Sequence, residues 1–141
     1  MKSSARNVLR GVVESVTEGA VNAEVTLSIG GGAAIVAVVT RQSIADLGLA
    51  NGVPAMALIN ASFIILAADD GGLKTSARNS LGVQIIAIDR GAVNDEVTLE
   101  IADGKTLSAT ITHESVTSLG LEVGSKVRAL IKASHVILAV P

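Results

Sequence analysis

The sequence predicts an all-β protein of two tandem OB-type five-stranded barrels, each with one short helix. Three observations predict it. A long segment recurs downstream, apolar and polar residues alternate with strand period inside each copy, and each copy holds one short stretch bracketed by helix start and stop residues.

The repeat sets the organisation. Shifted by 72 positions (76 − 4), residues 4–67 align without a gap on residues 76–139, with about half the positions identical. Ser4-Ala5-Arg6-Asn7 recurs as Ser76-Ala77-Arg78-Asn79, and Gly19-Ala20-Val21-Asn22 recurs as Gly91-Ala92-Val93-Asn94. Thr40-x-x-Ser43 returns as Thr112-x-x-Ser115, and Ala61-Ser62 as Ala133-Ser134. The copies are expected over residues 1–69 and 76–141, with residues 70–75 as a linker in which Asp69-Asp70-Gly71-Gly72 marks the polar break.

Within each copy a first strand is expected over Asn7 to Val16 and Asn79 to Ile88. Val25, Leu27 and Ile29 alternate with Glu24, Thr26 and Ser28, which gives a second strand one packed face and one wet face. Leu107, Ala109 and Ile111 alternate with Thr106, Ser108 and Thr110 in the same way. Gly30-Gly31-Gly32, matched by Ala102-Asp103-Gly104, reads as a hairpin turn. Glu24 and Glu96 read as outward strand residues. A short helix follows, with Thr40 or Thr112 as N-cap and Gly48 or Gly120 just past its end. Pro54 to Asn60 and Lys126 to Lys132 supply a fourth strand. Phe63 to Ala68 and His135 to Val140 are apolar without alternation, so a fifth strand is expected to be buried on both faces, one of them against another copy or subunit. Five strands with a helix after the third is the OB-type order, with a small β-sandwich as the alternative.

Composition narrows the function classes. Apolar residues make up 49% of the chain but Phe63 is the single aromatic, so the core is thin layers of Val, Ile, Leu and Ala. Modules of roughly 65 to 70 residues bury little surface alone, and oligomerisation is the expected remedy. A net charge of −2 leaves no basic field for a polyanion. Cysteine is absent, which removes disulfides, thiolate metal sites and cysteine nucleophiles. Met1 to Asn7 is polar, unlike a signal peptide, and the longest apolar run, Phe63 to Ala68, is far short of the roughly 20 residues of a membrane helix. A cytoplasmic protein without membrane contact is expected.

Few residues are equipped for chemistry. The two histidines, His113 and His135, are not duplicated, since Arg41 and Phe63 occupy their equivalent positions. They read as surface or strand-edge residues, and no bare-cation site, nucleophile or acid–base pair is expected; the chain does not read as an enzyme. Both copies do retain small neutral donors around one guanidinium: Ser4, Arg6, Asn7, Thr40, Ser43 and Ser62, then Ser76, Arg78, Asn79, Thr112, Ser115 and Ser134. Hydroxyl, amide and backbone N–H groups suit a tetrahedral oxyanion. Each position also has a plain structural alternative. Thr40 and Thr112 serve as caps, Ser43 and Ser115 support them, Ser62 and Ser134 serve as turn residues, and the arginines serve in an inter-domain ion pair.

The doubled Ser-Ala-Arg-Asn, the Gly-Ala-Val-Asn-x-Glu-Val segments and Ile131-Lys132-Ala133-Ser134-x-Val136-Ile137-Leu138 closely resemble the molbindins, the Mop-domain proteins that bind molybdate, in their tandem form. The resemblance covers essentially the whole chain. It implies an OB-type fold, a homotrimer forming a ring of six modules, and molybdate or tungstate stored in pockets between modules and subunits. Carried over by position, one kind of site uses Ser4, Arg6 and Asn7 with Thr40, Ser43 and Asn60-Ala61-Ser62. Its counterpart uses Ser76, Arg78 and Asn79 with Thr112, Ser115 and Lys132-Ala133-Ser134. A second kind draws on the turns holding Asn22 and Asn94. One departure stands out: the family's Lys is kept at Lys132 but replaced by Asn60, which donates a hydrogen bond without bringing charge to a dianion.

Two other functions compete. An OB barrel that binds single-stranded nucleic acid needs stacking aromatics and a basic groove, which the composition denies, so no nucleic-acid partner is expected. A module that senses the oxyanion for a partner protein shares the same residues, but no helix-turn-helix or Walker stretch accompanies them here.

Overall fold

The computed structural model describes residues 3–69, 71, 74–102 and 104–141. Asp70, Gly72 and Leu73 of the expected linker, Asp103 of the second hairpin turn, and Met1 and Lys2 lie outside the described residues.

The first half holds β1 (Asn7–Glu18), β2 (Asn22–Gly30), β3 (Ala33–Thr40), α1 (Arg41–Leu47), β4 (Pro54–Ile59), a 3-10 turn (Ala61–Phe63) and β5 (Ile65–Ala68). The second half repeats the order with β6 (Asn79–Asp89), β7 (Asn94–Ala102), β8 (Lys105–Thr112), α2 (His113–Ser118), β9 (Lys126–Ile131), a 3-10 turn (Ala133–His135) and β10 (Ile137–Ala139). The sheets follow from the alternation already noted: Val25, Leu27 and Ile29 are at most 2% exposed, and Val97, Leu99, Leu107 and Ala109 line the equivalent face. Gly48 ends α1 in the left-handed region at φ 63°, which a side chain disfavours, and its N–H bonds the carbonyls of Ala45 and Ile44.

Strand pairing then departs from two self-contained modules. One curled sheet has the order β10-β4-β1-β2-β3 and the other β5-β9-β6-β7-β8, all pairs antiparallel. Each half therefore lends its fifth strand to the other. Ile137 pairs with Leu58 and Ala139 with Met56, while Ile65 pairs with Leu130 and Ala68 with Val127. The exchange joins the two cores, because Leu138 is buried beneath the first sheet and Leu66 beneath the second.

Within this single chain each fifth strand is buried on one face, and the face expected to lie against another copy or subunit is open. Leu66 and Leu138 are 7% exposed, but their neighbours Ile65 and Ile137 stand 62% and 63% open. These are edge strands with one apolar face uncovered. The strands are also shorter than expected, because Ala61–Phe63 and Ala133–His135 wind into 3-10 turns before extended backbone resumes at Ile64 and Val136.

Candidate functional site

The Ser-Ala-Arg-Asn segments sit where the halves meet. Asn79 is 2% exposed and Asn7 4%, and each spends its carboxamide on the outer strand of the other half. Asn79 Nδ2 donates to the carbonyl of Val36 at 2.8 Å while its Oδ1 accepts the Val36 N–H at 2.7 Å. Asn7 does the same with Ser108, at 2.8 and 2.7 Å. Each amide also donates to its own half, to Ile59 or Ile131. A single side chain thus satisfies an open strand edge, which explains an identical buried Asn at both positions.

The arginines next to them reach across the same seam. Arg6 pairs with Glu96 and Arg78 makes a two-pronged contact with Glu24. Both guanidinium groups remain more than half exposed. The glutamates are the partners that strand periodicity alone did not single out; their retention at the same position in both copies was the available signal. Glu96 differs from Glu24 in having Ser108 beside it, whose hydroxyl donates to the carboxylate at 2.6 Å. That bond, helped by Arg6 and opposed by burial, holds the Glu96 carboxyl below its ordinary value. Arg6, Asn7, Glu96, Thr98 and Ser108 line a cleft of about 700 Å³.

Thr40 and Ser43 occupy the end of the half where Asn22 lies, since Asn22 pairs with Thr40 across β2 and β3. Thr40 Oγ1 accepts the Ser43 N–H at 3.1 Å and lies 2.9 Å from its hydroxyl, so the capping role is realised. Thr112 and Ser115 repeat this at 3.2 and 2.7 Å, with Asn94 opposite Thr112. The second-half turn is held differently. Asp95, 1% exposed, accepts the Gly91 N–H at 2.9 Å and faces His113 Nδ1 at 3.0 Å, where the first half has Ala23 and Arg41. A Cβ at Gly91 would meet the Asn94 carbonyl oxygen at 2.3 Å, so the turn requires glycine. Burial raises the Asp95 carboxyl, but the Gly91 N–H, His113 and Arg90 together outweigh it and leave it below its ordinary value.

The remaining candidates gather at the 3-10 turns. Ser4 and Asn60 line one cavity of about 250 Å³ together with Ser3, Leu58, Phe63 and His135. Asn60 Oδ1 accepts both the N–H and the hydroxyl of Ser62, at 3.0 and 2.9 Å, while Lys132 makes no such cap. Ala61 and Ala133 are buried and contribute backbone only; Ser62, Ser134 and Lys132 are exposed. Ser76 is exposed beside Ala77, which with Thr75, Ser80 and Arg128 lines a cavity of about 310 Å³. The turn Ala61–Phe63 packs on β8, the strand that runs into Thr112, and Ala133–His135 packs on β3, which runs into Thr40. The packing therefore joins each turn to the other half's strand.

Such a surface offers hydroxyl and amide donors, two arginines paired with glutamates, and the exposed Lys132. The model for the TOBE domain matches residues 3–66 and again 75–138. The chain is 48% identical over its full length to the molybdenum-pterin-binding protein MopA of Rhodobacter capsulatus, of which it covers 53%. It is 41% identical over 68 residues to a probable molybdenum-pterin-binding protein of Haemophilus influenzae, of which it covers 99%. The fold superposes on the crystal structure of the cytoplasmic molybdate-binding protein ModG with molybdate bound, at a TM-score of 0.95 and 47% identity, covering all of both chains. The chain spans about half the length of the full-length curated relatives it matches. With two matches that together take in nearly all of its residues, the chain belongs to the TOBE-domain family as a tandem, OB-type member.

Proposed function

We propose that this protein binds molybdate, or tungstate, as an intact oxyanion in the cytoplasm, and that it stores and buffers the ion as a homotrimer. The observation that carries the reading is the full-length likeness, at 47% identity, to a protein whose structure holds molybdate. The donor set supports it: hydroxyls of Ser4, Thr40, Ser43 and Ser62, the Asn60 amide and their counterparts Ser76, Thr112, Ser115, Ser134 and Lys132 are neutral or singly charged donors without chemistry of their own. Asn7 and Asn79 frame the site by fixing the seam, and Asn22 and Asn94 serve a second kind of site at the turns. Arg6 and Arg78 are available to the ion because an exposed ion pair is worth only about 0.2–1 kcal/mol, so a dianion competes with Glu24 or Glu96 for the guanidinium. Sulfate has the same charge and shape, so discrimination rests on donor spacing that fits the larger ion.

Native mass spectrometry with and without molybdate tests this reading. The expected species is a trimer that gains several oxyanions, and Arg78→Ala lowers the bound count while the trimer persists. Protein dialysed against excess molybdate that retains no molybdenum and gains no heat stability would refute it. A second reading, an oxyanion-sensing module acting on a partner, is favoured by one fact: ModE of Azotobacter vinelandii, a molybdenum transport protein, matches over 52% of its length. A pull-down whose catch changes with molybdate would select it.

A further inference from the structure

We propose that His135 is a ligand-binding residue of the first-half pocket, supplying to the anion there the charged donor that Asn60 lacks. The inference rests on the oxyanion reading above and adds a residue to its site. At the two turns the halves differ at two places: Asn60 and Phe63 in the first, Lys132 and His135 in the second. Read as separate modules, one half would have both basic groups and the other none. The strand exchange redistributes them. β10 pairs with β4, so the residues just ahead of it are carried to the first half, and His135 lines the same cavity as Ser3, Ser4 and Asn60. Phe63 lines that cavity too, so the exchange sets the basic His135 beside both first-half residues of the pair, Asn60 and Phe63.

Two observations on His135 itself point to a ligand. Its Nδ1 is buried and has no hydrogen-bond partner among the described residues, an unpaired state that folded proteins ordinarily avoid. Its ring is held in place against Phe63, tilted by 33° with centroids 4.4 Å apart. The ring borders a cavity of about 250 Å³ whose other polar side chains are two serine hydroxyls and an amide, so an anion seated there meets it beside neutral donors only. The elements around it hold little other charge. β3, β4, β10 and the Ala61–Phe63 turn carry no titratable side chain, Arg6 of the leading segment is paired with Glu96, and Lys132 stands at the start of the same turn. A charged imidazole attracts a dianion and a neutral one does not.

The test is calorimetric titration of the full chain with molybdate at about pH 6 and about pH 8, a range across which histidine changes charge. The native protein is expected to show one class of sites weakening about tenfold towards the higher pH and another, served by Lys132, that does not move. His135→Phe places in this turn the residue its twin already has, keeping the aromatic contact; it should lower the first class at about pH 6 to its high-pH level and remove the pH dependence. His135→Gln, which keeps a donor without charge, should bind independently of pH. Adding Asn60→Lys to His135→Phe should restore the affinity without the pH dependence. Isotherms of the His135 variants that match the native ones at both pH values, or a pH dependence that survives them, would overturn this assignment while leaving oxyanion binding intact. A native protein that takes up no molybdate would overturn both.

Discussion

The two halves share a fold and a seam but not the groups that hold their ends. In the first, the turn before β2 closes on itself, with Gly19 N–H donating to the Asn22 carbonyl at 2.8 Å, beside a small buried Ala23. In the second, the Gly91 N–H is taken by the buried Asp95, which His113 partners. At the seam, Glu24 meets Arg78 and has Val36 where the second half has Ser108, whereas Glu96 meets Arg6 and gains the Ser108 hydroxyl. Duplication therefore preserved the backbone plan and the Asn edge locks, while ionisable detail drifted towards the second half. A repeat can keep its fold with either set because the core residues, Val25 and Leu27 in one and Val97 and Leu99 in the other, are equivalent and fully buried.

The comparison can be broken most severely through the exchanged strand. Leu138→Ala removes a side chain buried beneath the first sheet, and a loss of about 2–5 kcal/mol is expected. Hydrogen exchange should locate the damage in β4 of the first half, although the mutation lies in the second. Faster exchange confined to β9 would contradict the pairing.

The edge locks come next. Asn79→Ala leaves the N–H and carbonyl of Val36 without their partner and should cost about 1–3 kcal/mol in urea unfolding. Asn7→Ala should cost the same within error, since its bonds to Ser108 are equal in length. A large gap between the two would show that the halves are not held symmetrically.

A smaller effect separates the turns. Asp95 and Glu96 both have lowered carboxyl values, so their stabilisation is present above the ordinary carboxylate range and is lost as pH falls through the lowered values. Asp95→Ala should flatten the acid limb of thermal stability, whereas Ala23, its counterpart, contributes nothing to that limb. An unchanged acid limb would remove the buried carboxylate from the account. Smallest of all, Ser108→Ala should raise the Glu96 carboxyl towards its ordinary value, readable by NMR titration, with little change in melting.

Much of the candidate site was legible in the chain because duplication marks what both copies need. Ser4, Arg6, Asn7 and their counterparts stood out as repeated polar residues in an apolar-rich sequence. What repetition could not tell was the partner: an Asn that donates to a ligand and one that seals a strand edge are the same letter. The roles of Asp95 and His135 escaped for a related reason, since a carboxylate or ring present in one copy alone leaves no repeat or periodic trace.

Residue order by itself determined the strands, the helix caps, the hairpin at Gly30 to Gly32 and the duplication, because these depend on neighbours one to four positions away. Only the tertiary structure decided which half receives each fifth strand. Ala57-Leu58-Ile59 and Ala129-Leu130-Ile131 present the same alternating edge, so β5 and β10 meet nearly identical partners in either half. Local pairing energy is degenerate between the two arrangements. The course of the chain through the 3-10 turns, packed against β8 and β3 of the opposite half, selects the exchanged one, and with it the set of side chains that faces each pocket.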